Sequence, residues 1–362
     1  MSTGALLAAA LPVLAVGALM CSLPAVTRPI LQFGVRVPPE RAEAPVIRRE
    51  RRAYYWRTAA IGAGFALVAV TVQGHCPSWV PRVILVPELA AGLGCFWVAR
   101  RKIAAVKNAD SWFAGLRQTV VADTTWRTDP PRFPVRWLMP ALAVMAATAA
   151  VGALRYPGLP AHIVTGSGHR VPKSAVLALV VAGQLYFTAV YSGLMLIVHH
   201  SRPDIEAADP AASTLRYRRF LAAFSRALLT MAALIDASLL LIALPDWQVY
   251  RLSGIGRALP VLPFAAGVLL LGAVAARTGQ GGSRLNGNVH GLAPPAGIDR
   301  DDDRFWKAGL LYVNRDDPAL VVGARFGVGW APNFGNRAAW LLVAGTVAAW
   351  AGLALLGAAA GM

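Results

Sequence analysis

Apolar residues in this chain come in long unbroken runs, separated by polar connections rich in arginine. Eight runs are long enough to cross a hydrocarbon core, which takes roughly 17 to 25 helical residues. They are Gly4–Val26, Tyr54–Val72, Val83–Ala99, Leu138–Leu154, Ser174–Val198, Phe220–Leu244, Ala258–Ala276 and Ala338–Gly361. A helix satisfies its own backbone polar groups, which lipid cannot do for it. The pattern therefore predicts an all-α, polytopic integral membrane bundle of about eight transmembrane helices. One long stretch outside these runs is dense in side-chain chemistry, Asp301–Trp340, and it predicts a small module just before the last span. In order, the chain divides into a three-span region with basic loops (1–137), a four-span region (138–276), a linker (277–300), the module (301–340) and the last helix (338–362).

Composition agrees with this reading: 56% of the residues are hydrophobic, 15% are charged, and the mean hydropathy is +0.52. Ala and Gly dominate the apolar set, as expected where helices pack closely in lipid. A net charge of +17 invites a nucleic-acid partner, but the charges sit in the connections between spans, which points to the bilayer and away from nucleic acid. The connections after the odd-numbered spans hold 8, 8, 4 and 8 Lys and Arg, against 1, 3 and 2 after the even-numbered ones. By the positive-inside rule the odd connections face the cytoplasm and both termini lie outside a bacterial plasma membrane. The first run has no basic residue before it, and Met20 beside Cys21 spoils a lipoprotein cleavage site, so the run is expected to be retained as a span. Cys21, Cys76 and Cys95 show no disulfide pattern and are read as packing residues.

Within the first connection, the basic run Arg48–Arg52 ends in Tyr54, Tyr55 and Trp56, which suits a topology signal touching lipid headgroups at an aromatic belt. Phe33-Gly34-Val35-Arg36 there echoes Phe326-Gly327-Val328-Gly329, so two strands could pair. The third connection places Ile103, Val106, Trp112, Phe113 and Leu116 on one side of a helix. That helix either lies on the inner leaflet or packs against the other loops. In the module, Asp303 suits the start of a short helix with Phe305, Trp306, Leu310 and Leu311 on one face. Asn314-Arg315-Asp316-Asp317-Pro318 is turn chemistry, Ala319–Trp330 suits an extended segment, and Asn333–Asn336 closes the loop. Gly279–Gly297, rich in Gly, Pro and Asn, reads as a flexible linker that lets the module move or fold back onto the first and third connections.

Two pieces resemble known families. The pattern D-R-F-W-K-x-G-L-x-Y-x-N-x-D-D-P…R-F-G-V-G-W-x-x-N-F-G-N is similar to a domain of unknown function near the C-terminus of some bacterial polytopic membrane proteins. It singles out Asp303, Trp306, Asn314, Asp317, Arg325, Phe326, Trp330 and Asn333. Between the fourth and fifth spans, Leu159-Pro160, Ile163, Thr165, Gly168, Lys173 and Ser174 resemble the membrane domain of unknown function that precedes the immunity module of Sdp-type toxin-immunity proteins. Gly166 stands where that pattern usually has a His. The resemblances imply a sensory or immunity-type protein that relays an envelope or peptide signal to a cytoplasmic or membrane partner.

Apart from Arg57 in the first turn of the second span, counted above with the first connection, charge inside the spans is confined to Glu88, Arg226 and Asp236. Arg226 is close enough to its inner end to snorkel, whereas Asp236 is roughly 12 Å deep and must face the bundle. Pro87 allows a kink before Glu88. Gln184, Thr188, Tyr191 and Ser192 form a polar stripe that, with Glu88 and Asp236, predicts one polar interior region. It serves either as a proton-coupled or small-solute pathway or as an interhelical network in a structural bundle. No nucleophile, base and orienting residue form a set, so no enzyme or cofactor is expected. His162 and His169 are too few for a metal, and His199-His200 read as interfacial.

Overall fold

The computed structural model describes residues 3–72, 84–113, 131–164, 170–201, 210–250, 259–285 and 302–359. Among them are eight α-helices: α1 (Thr3–Val26), α2 (Pro45–Val72), α3 (Leu85–Ala109), α4 (Met139–Arg155), α5 (Lys173–His200), α6 (Pro210–Asp246), α7 (Val261–Thr278) and α8 (Arg337–Ala359). Six stretches among the described residues are long and apolar enough to cross a membrane: Pro45–Val72, Val135–Gly158, Lys173–His200, Ala212–Asp246, Val261–Gly282 and Arg337–Ala358. In α1 the stretch Ala10–Val26 is apolar but shorter. The third helix carries Glu88 at one end and Arg100, Arg101, Lys102 and Lys107 at the other.

The all-α expectation holds for the bulk and fails in the connections, where four two-stranded antiparallel ribbons form among the described residues. Their strands are β1 (Leu31–Gln32) with β2 (Val35–Arg36), β3 (His162–Val164) with β4 (Arg170–Pro172), β5 (Trp306–Lys307) with β6 (Leu311–Tyr312), and β7 (Val321–Gly323) with β8 (Trp330–Pro332). The chain forms two compact units, one of Met1–Asp129, Arg202–Phe220 and Ala275–Asn336, the other of Pro130–Ser201, Leu221–Val274 and Arg337–Met362.

In the first unit, α1, α2 and α3 pack on one another. The crossing of α1 and α2 is made by Gly17 and Gly62, where a Cβ on Gly17 would stand 3.1 Å from the Gly62 Cα. Only small residues permit so close an approach. Cys21 packs there too, its Sγ 3.1 Å from Thr58 Oγ1. After α1 the chain reverses at Phe33 and Gly34, both in the left-handed region (φ 49 and 69), as a two-residue hairpin turn requires. Phe33, Val35 and Val37 then join Ile47, Tyr54, Phe96, Ile103 and Trp112 in one apolar cluster. The third helix thus continues to Ala109 and packs against the first connection, without lying apart as an inner-leaflet helix.

The module belongs to this unit. Asp302, not Asp303, caps a single 3₁₀ turn at Asp303–Phe305, its carboxylate accepting from the Arg304 N–H at 3.0 Å. The expected helix stops there. Ala308 and Gly309 (φ 52 and 76) turn the chain back, and Trp306 pairs with Tyr312 facing inward while Lys307 pairs with Leu311 facing out. A strand's two-residue alternation has won over the helical spacing. The start of the expected linker is also fixed: the buried Gln280 side chain donates to Gly329 O at 2.9 Å and accepts from Gly329 N at 2.8 Å.

In the second unit, α4 and α5 are joined across the β3–β4 hairpin, which turns Ile163 and Val171 onto Leu159, Val176, Ala243 and Trp247. Lys173 Nζ closes the end of α4 by donating to Tyr156 O (3.0 Å) and Leu159 O (3.2 Å). The last helix packs on α5, where the Tyr186 hydroxyl donates to Thr346 O at 3.2 Å. Cys76, Leu116, Thr165, Gly166, Gly168, His169 and residues 286–300 lie outside the described residues.

Candidate functional site

Three polar centres stand out. The first fastens the module. Asp303 accepts from Arg325 Nη1 at 2.5 Å, Lys107 Nζ at 2.5 Å and the Arg36 backbone N–H at 3.3 Å. Burial works against this carboxylate, but the Arg325 guanidinium and the Lys107 ammonium outweigh it and hold the carboxyl below its ordinary value. Arg325 has a fully buried side chain, lies over the Trp306 ring at 5.1 Å, and also donates to Gly34 O at 3.0 Å. Arg100 Nη1 donates to the same carbonyl at 2.5 Å. Phe326 completes the contact, stacked on Phe33 at 5.6 Å and tilted against Phe96 at 4.6 Å. The Phe-Gly-Val segments thus meet through side chains and one guanidinium, not as paired strands.

The remaining module candidates hold it together internally. Asn333 is fully buried: its Oδ1 accepts from Asn314 N (3.1 Å) and Gly335 N (3.0 Å), and its Nδ2 donates to the carbonyls of Asn314, Asp317 and Ala319 (2.9, 2.9 and 3.1 Å). The Tyr312 hydroxyl donates to Asp317 Oδ2 at 3.0 Å and accepts from Asn314 Nδ2 at 3.2 Å. Side chains of Asn314 and Asp317 also accept from Asp316 N and Ala319 N, both at 3.0 Å, giving the anticipated turn. Trp330 Nε1 donates to the Tyr217 hydroxyl at 3.3 Å, beside Phe220.

The second centre is Glu88, which is 2% exposed. Pro87 sits in the first turn of α3, where a missing N–H breaks no helical bond, so no kink is needed. The carboxyl lies against the glycine crossing, and a Cβ on Gly17 would stand 3.3 Å from its Oε1. Neither oxygen has a hydrogen-bond partner among the described residues.

Asp236 is the third centre. Its Oδ2 accepts from the Thr188 hydroxyl at 2.8 Å, and its backbone carbonyl accepts from Gln184 Nε2 at 2.9 Å. The same amide donates to Thr148 Oγ1 on α4 at 2.7 Å, so three helices meet at one buried cluster. Asp236 Oδ1 and Gln184 Oε1 have no hydrogen-bond partner among the described residues. Gln184 and Thr188 of the stripe reach Asp236; Ser192 bonds to its own helix at Thr188 O. Glu88 belongs to the first unit and Asp236, with Gln184 and Thr188, to the second.

Sequence reading passed over Gln280, Lys107, Arg100, Thr148 and the Gly17/Gly62 pair. Only the glycines carried a signal, since small residues mark close helix crossings. No group of three or more His, Cys, Asp or Glu able to hold a metal ion occurs among the described residues. No family model, curated protein or solved structure matches the chain.

Proposed function

We propose that the protein is an eight-span protein of a bacterial plasma membrane, both termini outside, that couples movement of a small solute to protons at Glu88 and Asp236. The observation that carries this reading is Glu88: a carboxyl buried at a helix crossing, with both oxygens unsatisfied among the described residues. An ionised carboxylate left bare in an apolar interior costs several kcal/mol, on the order expected for unpaired buried charge, so such a group works by taking a cation, the proton foremost. Asp236 offers a second carboxyl, held by Thr188 and open at Oδ1. The module serves as a cap on the cytoplasmic side, fastened through Asp303, Arg325 and Lys107.

The test is proton movement into dye-loaded proteoliposomes when a total small-molecule extract of cells is added outside. The wild type should move protons, Glu88→Gln should abolish the signal, and Asp236→Asn should reduce it at least about tenfold. No proton movement in the wild type, or movement in both variants equal to that of the wild type, defeats the reading.

A second reading, a sensory or immunity-type relay to a protein partner, is favoured by the two family resemblances. Deleting residues 302–336 separates the two. A relay falls silent, whereas a capped transporter leaks protons without solute.

A further inference from the structure

A separate basic cluster is built around Glu50 of α2. This carboxylate is 1% exposed although it stands among Arg48, Arg49, Arg51 and Arg52 in the chain. Lys102 Nζ from α3 donates to Glu50 Oε1 at 3.1 Å, Arg49 Nε stands 3.6 Å from the same oxygen, and Arg57 Nη1 stands 3.8 Å from Oε2. Three cations from two helices therefore converge on one buried anion and leave a surplus of positive charge. Neither the Arg49 nor the Arg57 side chain makes a hydrogen bond among the described residues, so two guanidinium groups, each with five donors in a planar fork, keep their donors available. Their side chains are 75% and 43% exposed, and that of Lys102 is 43% exposed. Aromatic side chains stand on the same two helices: Tyr55 and Trp56 on α2, both exposed, and Trp97 on α3 with the Arg101 guanidinium 3.9 Å over its ring.

A simple topology signal needs positive charge but no buried acid to gather it. A carboxylate that gathers three cations costs one unit of charge and in return fixes their positions. The planar donor fork of arginine fits two oxygens of a phosphate at once. Tyr and Trp beside it suit the level where headgroup meets acyl chain.

We propose that Arg49, Arg57 and Lys102, organised by Glu50, form a binding site for the phosphodiester headgroup of an anionic phospholipid. The site goes beyond proton coupling and does not depend on it. Glu50 is a positioning residue, and the three cations contact the phosphate.

Native mass spectrometry of the full chain, released from nanodiscs of equal parts phosphatidylglycerol and phosphatidylcholine, reads the lipid retained. The wild type should keep phosphatidylglycerol in preference to phosphatidylcholine. Arg49→Gln with Arg57→Gln should cut that retention about tenfold, while Arg136→Gln, an exposed arginine outside the cluster, should leave it unchanged. Glu50→Gln is the sharper variant: it makes this face more positive yet should lower retention, because the cations lose their organiser. Size-exclusion profiles matching wild type establish that each variant is folded. Higher retention in Glu50→Gln would show plain charge attraction and overturn the site, as would equal loss in Arg136→Gln. Soluble glycerol phosphate should not displace the lipid at millimolar concentration. Full displacement would assign the cluster to a soluble phosphate and overturn the lipid assignment.

Discussion

Single side chains divide into those that hold the molecule together and those free to act. Asn333 belongs to the first kind, with five hydrogen bonds to backbone from a fully buried amide. Removing it leaves buried N–H and C=O groups unmet, each costing roughly 1 to 3 kcal/mol. Asn333→Ala should therefore unfold the module, raising hydrogen exchange across 302–336, whereas Asn336→Ala, whose side-chain bond to Pro318 O is exposed, should change it less. Asp303 is a fastening residue with a definite pH signature. Its carboxyl is held below the ordinary 3.8, so its stabilising effect is complete above that value and is lost as the pH falls through its lower native value. The module should stay docked from neutral pH down to about 4 and loosen only below, as read by hydrogen exchange corrected for intrinsic rates. Loosening already between pH 7 and 5 would contradict that assignment. At this scale the sequence was a fair guide: depth alone singled out Asp236, and spacing placed Gln184 and Thr188 on the face that meets it. Local spacing makes Asp303 a helix cap, because charge partners distant in the chain, Lys107 and Arg325, are invisible to it.

Among the elements, long apolar runs were legible because membrane length and hydropathy leave few alternatives, and each of the eight runs contains or overlaps one of the eight described helices. Short polar connections were harder to read. Phe305, Trp306, Leu310 and Leu311 fit a helical face, but the positive φ of Ala308 and Gly309 imposes a hairpin whose inward pair is Trp306 and Tyr312. Gly279 and its neighbours looked like free linker, yet Gln280 pins that segment to Gly329. The close approach of two turns makes a direct test. A Cβ on Gly34 would stand 2.4 Å from Gly309 O, and Gly34 has φ +69. Gly34→Ala should separate the β1–β2 and β5–β6 turns and destabilise the docked module by about 2 kcal/mol or more, from combined strain and overlap. Limited proteolysis of the 302–336 segment measures it, and unchanged resistance would contradict the contact.

For the whole molecule, the charge asymmetry of the connections predicts sidedness. In a background without native cysteines, Arg41→Cys should react with a membrane-impermeant maleimide only after cells are opened, and Ala161→Cys should react in intact cells. The opposite pattern would invert the topology and with it the side on which the module lies. The proposed function requires the module to act as a cap that loosens before Glu88 can serve transport. The most direct measurement joins Lys107→Cys to Asp303→Cys with a short bismaleimide in the same cysteine-free background and follows proton movement in proteoliposomes. The linked protein should lose proton movement while the unlinked double variant keeps it or leaks. Undiminished movement in the fully linked protein would show that the module does not gate the bundle.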